Sequence, residues 1–221
     1  MPAKNAVKQY LENGYYHIYN RGVEKRIIFQ DTQDYSVFLS YLKEYLLPKD
    51  EKALRDKLSS PDVSLKEKDK ILRLLRLNNF NKEIYLLAYC LMPNHFHFFI
   101  KQKSGNSIDK FMNSLCTRYS MYFNKKYKRV GSLYQGVYKA VLIKRNDQFI
   151  YLSKYIHVQA IQSRTPSSYM DYLNLRKTAW LAPDEVLSFF TEKFSNLSYQ
   201  SFLRENDAHE VELKEIIFEK C

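Results

Sequence analysis

The sequence predicts an α+β fold in which an antiparallel sheet carries helices packed on one face. Three observations predict it. Two β-rich runs, residues 83–91 and 95–100, are separated only by Met92-Pro93-Asn94, whose Pro and Asn favour a turn. Two further strand-like runs, 14–19 and 137–143, lie far from this pair along the chain. The segments between them place apolar residues at helical spacing. The resulting order of strand, helix, insert, strand, strand, helix, strand, helix is of ferredoxin-like type.

Each element has its own signal. Residues 14–19 (GYYHIY) alternate large side chains as a strand does and end at the turn-like Asn20-Arg21-Gly22. Asp31 is a good helix cap, and Val37, Phe38, Tyr41, Leu42 and Tyr45 follow at helical spacing. Residues 48–82 are highly charged, with Leu72, Leu74, Leu75 and Leu77 in a helical pattern, and read as a solvated helical insertion. The runs at 83–91 and 95–100 form a buried antiparallel hairpin. Residues 107–127 read as a long amphipathic helix with Ile108, Phe111, Met112, Leu115, Tyr119, Tyr122 and Phe123 along one side. After a loop at 131–136 come the strand 137–143 and a helix over 147–161. The main domain is thus 1–180, and 181–221 is an acidic extension with helical apolar spacing at Val186, Phe189, Phe190 and Phe194.

Charge narrows the partners. The 221 residues hold 35 Lys+Arg against 24 Asp+Glu, a net of +11, and the extension alone is at −5, which leaves +16 on the first 180 residues. Such an excess concentrates polyanions, and the basic residues alternate with aromatics able to stack on unpaired bases. Arg21, Arg118, Lys125, Lys126, Lys139 and Arg145 are the candidate phosphate contacts. Three cysteines without CxxC spacing argue against a disulfide scaffold and against a thiolate metal site. The first residues lack a signal-peptide core, and the longest apolar stretch, 84–92, is too short for a bilayer. A cytoplasmic, nucleoid-associated protein without a membrane partner is expected.

The chemistry sits in two places. His95 and His97 are two apart in a strand, so both imidazoles project from one face and make half of a metal site. Tyr155 and Gln159 are four apart in a helix and share a face, with Tyr151 one turn earlier. A carboxamide oxygen is a hard ligand suited to Mg²⁺ or Mn²⁺, and a tyrosine hydroxyl beside it can attack a polarised phosphodiester. Free tyrosine, with a pKa of about 10, is phenolate in only about one molecule in 10³ at pH 7, a deficit of roughly 4 kcal/mol. A single divalent cation would offset part of it. Spacing alone leaves open an ordinary helix with a half-buried tyrosine. Tyr151 is the rival nucleophile, two turns from Gln159, whereas Tyr119 and Tyr122 have the spacing of core residues.

These residues carry a family resemblance. The run Leu91-Met92-Pro93-Asn94-His95-Phe96-His97-Phe98, followed by Tyr151-Leu152-Ser153-Lys154-Tyr155-Ile156-His157-Val158-Gln159, resembles the single-tyrosine HUH transposases, closest to the REP-associated tyrosine transposases. Tyr16-His17-Ile18-Tyr19-Asn20-Arg21-Gly22 is similar to the family's first strand and loop, residues 118–131 to its basic helix end, and Ser167-Ser168-Tyr169 to its C-terminal trailer. The resemblance implies the HUH endonuclease fold and a metal-dependent strand transferase acting on single-stranded or hairpin DNA. It makes His95, His97 and Gln159 ligands of one Mg²⁺ or Mn²⁺, and Tyr155 the nucleophile that forms a 5′-phosphotyrosine link. REP-associated members commonly have Asn where Gln159 stands, and the 48–82 insertion is unusual for them. Members of this kind work as monomers or as homodimers that exchange the tyrosine helix. Two other readings compete: a catalytically silent single-strand DNA-binding protein, and a relaxase-like replication initiator. A helix-borne tyrosine after the histidines, with Gln four residues on, fits the transposase better.

Overall fold

The computed structural model describes residues 10–191 and 196–204. Four strands, β1 (Tyr15–Arg21), β2 (Ile84–Met92), β3 (His95–Gln102) and β4 (Lys139–Ile143), form one sheet in the order β2-β3-β1-β4. Every neighbouring pair is antiparallel. The expected hairpin is present: Met92 pairs with His95 across a turn at Pro93-Asn94. β4 starts two residues later than the sequence predicts. The chain before it already pairs with the end of β1, through a Tyr134 bridge to Gly22 and the Gln135 N–H donated to the Arg21 carbonyl.

Helices cover both faces of this sheet. α1 (Thr32–Leu46) and α4 (Ser107–Lys126) pack on one face, as expected, over a core that includes Phe38, Leu42, Phe96, Phe98, Phe111 and Leu115. Asp31 caps α1 by accepting from the Asp34 N–H at 3.0 Å. The other face is buried by α5 (Asn146–Ser163), α6 (Tyr169–Tyr172), α7 (Asp184–Thr191) and α8 (Asn196–Arg204), with Leu87, Cys90, Phe99, Phe149, Leu152, Ile156 and Tyr199 between. Two-sided burial explains why β3 reads as a nearly continuous aromatic run instead of an alternating one: only Lys101 of its eight residues is not buried.

The insertion is helical, as its periodicity indicates. α2 (Glu51–Ser59) and α3 (Leu65–Arg76) start at Asp50 and Ser64, whose side chains accept from the Ala53 and Glu67 N–H groups. Lys49 Nζ donates to the Leu75 and Leu77 carbonyls at 3.0 and 2.9 Å, capping the end of α3 with positive charge. The helical expectation for the extension holds over α7 and α8. Phe194 and residues 205–221 lie outside the described residues.

α8 is tied to α5 by a buried polar group. His157 Nδ1 bonds the Tyr199 hydroxyl at 2.6 Å and Nε2 bonds the Ser168 hydroxyl at 2.7 Å, while Tyr199 donates to Ser153 at 3.1 Å. Burial, reinforced by the Arg176 charge, pushes the His157 pKa down to about 3. The fold therefore binds the neutral ring, and the stabilisation is complete above the unfolded value of about 6.5 and lost as pH falls toward 3. Urea unfolding is expected to lose at most about 1.4 kcal/mol per pH unit from this one group below pH 6.5. His157→Gln should flatten that slope; an unchanged slope would assign the pH dependence elsewhere.

Candidate active site

Strand alternation and register build one side of the site. Arg21 pairs with His95 and Tyr19 with His97, so His17, Tyr19 and Arg21 of β1 share the α5 face with His95 and His97 of β3. Phe96 and Phe98 point the other way, against Phe38. Because β1 and β3 are the two central strands, the histidines stand on the best-supported part of the sheet. The His95 and His97 rings are 4.9 Å apart and nearly perpendicular.

α5 supplies the other side. Its apolar residues Phe149, Leu152 and Ile156 lie on the sheet, which carries Tyr155 to the histidine end. The Tyr155 ring meets His97 edge-on at 5.4 Å and His17 at 5.9 Å. Gln159, half-buried, follows one turn later. Tyr151 packs instead on Phe202 of α8, 5.5 Å away. Tyr155 and the histidine pair, distant in sequence, thus converge.

Each histidine has its Nδ1 held by a neighbour. His95 Nδ1 donates to the Asn94 carboxamide oxygen at 2.5 Å, which leaves Nε2 as its basic nitrogen. His97 is fully buried, and burial first, then the nearby His17, His95 and Arg21, hold its pKa well below the ordinary histidine value. Its Nδ1 is engaged with His17 Nε2 at 2.8 Å. With each Nδ1 engaged, the pair can turn two Nε2 nitrogens toward a divalent cation. Among the described residues no group of three or more His, Cys, Asp or Glu side chains is placed to hold a metal, so a cation here needs a donor of another type. The Gln159 carboxamide is of that type.

The basic residues divide. Arg21 is half-buried on the histidine face, and the exposed Lys139 lies opposite Tyr19 on the same face. Arg145 is bridged to Asp147 at 2.9 Å on the surface, and Lys125 is exposed. Arg118 and Lys126 are built into the fold on the far side of the sheet. Arg118 binds Glu44 at 2.5 Å and lies 3.7 Å over the Tyr41 ring. Lys126 binds Asp31 and the buried Asp34, both at 2.7 Å. Sequence reasoning passed over His17 and Tyr19. Only the β1–β3 register sets them beside His97, and nothing local in the sequence reveals it.

A protein-family model described as "Transposase IS200 like" matches residues 62–159, which run from the insertion through the histidine pair to Gln159. Over that segment, 98 of its 221 residues, the chain is similar to the IS200-like transposases. Among solved structures, a REP-associated tyrosine transposase bound to a REP hairpin is similar in fold to this chain. Its TM-score is 0.50 at 10% identity, over 81% of this chain and 97% of that one. A second similar structure, a putative transposase from Deinococcus radiodurans, has a TM-score of 0.29 at 14% identity, over 70% of this chain and 97% of the other. No curated protein matches the sequence. Among its described residues the chain has no helix long and apolar enough to cross a membrane.

Proposed function

We propose that this protein is a transposase that cuts and rejoins single-stranded DNA at hairpin-flanked sites, with Tyr155 as nucleophile and His95, His97 and Gln159 holding one Mg²⁺ or Mn²⁺. The observation that carries this reading is the edge-on approach of Tyr155 to His97 on the face where His95 also stands. The bound cation would polarise the scissile phosphate and offset charge on its oxygens. Tyr155 Oη gives up its proton and attacks phosphorus, the bond to the 3′ oxygen breaks, and the departing 3′ oxygen takes up a proton in exchange, so a 5′-phosphotyrosine link and a free 3′-OH result. A 3′-OH then attacks that link and releases the tyrosine, so the phosphodiester energy is conserved and no nucleotide cofactor is needed. Arg21 and Lys139, on the same face, suit the strand entering the site, with Lys125 and Arg145 as outlying phosphate contacts.

Hairpin DNA is the proposed partner because the chain has this basic face and shares its fold with a transposase solved on a REP hairpin. The proposed reaction uses Tyr155 and the histidine pair of the same chain, in a monomer or in each protomer of a homodimer. The proposal places it in the cytoplasm, on the nucleoid. The test mixes the protein with labelled hairpin-ended single strands from its own genomic flanks and Mn²⁺, and looks for denaturant-resistant protein–DNA bands. Adducts should form, disappear with chelator, and fall at least about 100-fold in His97→Ala. Binding without any adduct would favour the silent DNA-binding reading. Adducts only at nick sites lacking hairpins would favour the relaxase-like one.

A further inference from the structure

We propose that His17 is a positioning residue: it keeps the His97 proton on Nδ1 and so presents the His97 Nε2 lone pair to the divalent cation. This rests on His95 and His97 being ligands, as proposed above.

A neutral imidazole donates from one nitrogen and accepts at the other. The 2.8 Å bond between His17 Nε2 and His97 Nδ1 therefore has two possible senses. If His97 Nδ1–H donates, His97 Nε2 carries a lone pair able to bind a metal. If His17 Nε2–H donates, His97 carries its proton on Nε2, where it blocks coordination. His95 supplies the pattern for choosing between them, because its Nδ1 partner, the Asn94 oxygen, can only accept, which fixes the lone pair on Nε2. Asn94 does for His95 with a carboxamide what His17 does for His97 with an imidazole.

The packing suits such a fixed acceptor. His17 and His97 are 1% and 0% exposed, so bulk water does not compete for the bond. Their rings stack at 5.0 Å with 25° between planes, and Tyr19 lies 5.0 Å from one and 5.8 Å from the other. Tyr155 closes the far side of both rings. A ring clamped in this way holds one orientation, and His17 Nε2 is turned to His97 instead of to a shared cation. An acceptor on Nδ1–H also raises the basicity of the ligating nitrogen.

The test uses the full chain with ¹⁵N-labelled histidine and reads the ring nitrogens of His97 by NMR without metal, then Mn²⁺ affinity by calorimetry. In the parent, His97 should show a protonated Nδ1 and a bare Nε2. His17→Phe keeps a flat ring but removes the acceptor; the proton should shift to Nε2 and Mn²⁺ affinity should drop about 10- to 100-fold. His17→Gln restores a carboxamide acceptor and should recover most of both. Protonation of His97 at Nε2 in the parent would overturn the proposal, as would parental Mn²⁺ affinity in His17→Phe. So would a shift of the His17 nitrogens on adding Zn²⁺ as large as that of His95 and His97, since His17 would then be a ligand. If His17→Phe fails to fold, the parent spectrum and His17→Gln still decide. Mn²⁺ binding that survives in a His95→Ala/His97→Ala double variant would refute the ligand assignment instead, a result separable from the proton position read in the metal-free parent.

Discussion

Tyr155→Phe is expected to bind a labelled hairpin-ended strand about as tightly as the parent and to form no covalent product. Removing the proposed nucleophile should lower cleavage by more than about 10⁴-fold. Stability should change by no more than about 1 kcal/mol, because the ring and its edge contacts to His97 and His17 are kept and only one hydroxyl is lost. Single-turnover cleavage and a binding titration on the same substrate check both statements. Tyr151→Phe is the control: its ring packs on Phe202, so cleavage should stay near the parent level. Cleavage lost in Tyr151→Phe but kept in Tyr155→Phe would transfer the nucleophile by one helical turn.

The second large effect separates two adjacent lysines. Lys126→Met should cost roughly 2–3 kcal/mol of stability, because it strips the buried Asp34 of its cation. Asp34 would still accept from Tyr122 at 3.0 Å, from Tyr127 at 2.8 Å and from the Gln30 N–H at 2.8 Å, which keeps the loss below that of a bare buried charge. Burial acts to lower the Lys126 pKa, but its bonds to Asp31 and Asp34 outweigh that and hold it above the ordinary lysine value. The pair therefore stays ionised through neutral pH. Lys125→Ala, one residue earlier and exposed, should leave stability within about 0.5 kcal/mol and reduce the salt slope of DNA binding by about 1. Urea denaturation and binding at several salt concentrations on both variants settle the contrast; equal stability losses would show that Asp34 does not depend on its cation.

That contrast marks where sequence reading stops. Periodicity made Lys125 and Lys126 look alike at the basic end of one helix, since their difference lies in carboxylates on α1 more than ninety positions earlier. Arg118 was equally opaque, because its partner Glu44 is 74 positions away. What the chain states locally was legible: the hairpin from its aromatic runs and Pro-Asn turn, the helices from apolar spacing and caps, the His pair from strand alternation, and Tyr155 with Gln159 from one helical turn. What depends on pairing was not. The packing of α5 on the opposite face of the sheet from α1 and α4 follows from chain crossings that no periodicity reports. His17 entered the site only through the register of β1 on β3.

The wide spacing of the site along the chain also governs when it can exist. His17 and His97 meet across 80 positions, on strands that pair directly only after the whole insertion has been made. Tyr155 arrives on a helix that needs the completed sheet to lie on, and α8 then fastens that helix through Tyr199. Contacts of such long range form late, after loop closure has been met. A chain still emerging from the ribosome therefore holds the histidines, the tyrosine and the basic face as separate pieces. The candidate site therefore assembles in one step, once α5 has been made, and a chain truncated before α5 would keep the histidine pair on its sheet without Tyr155 and Gln159.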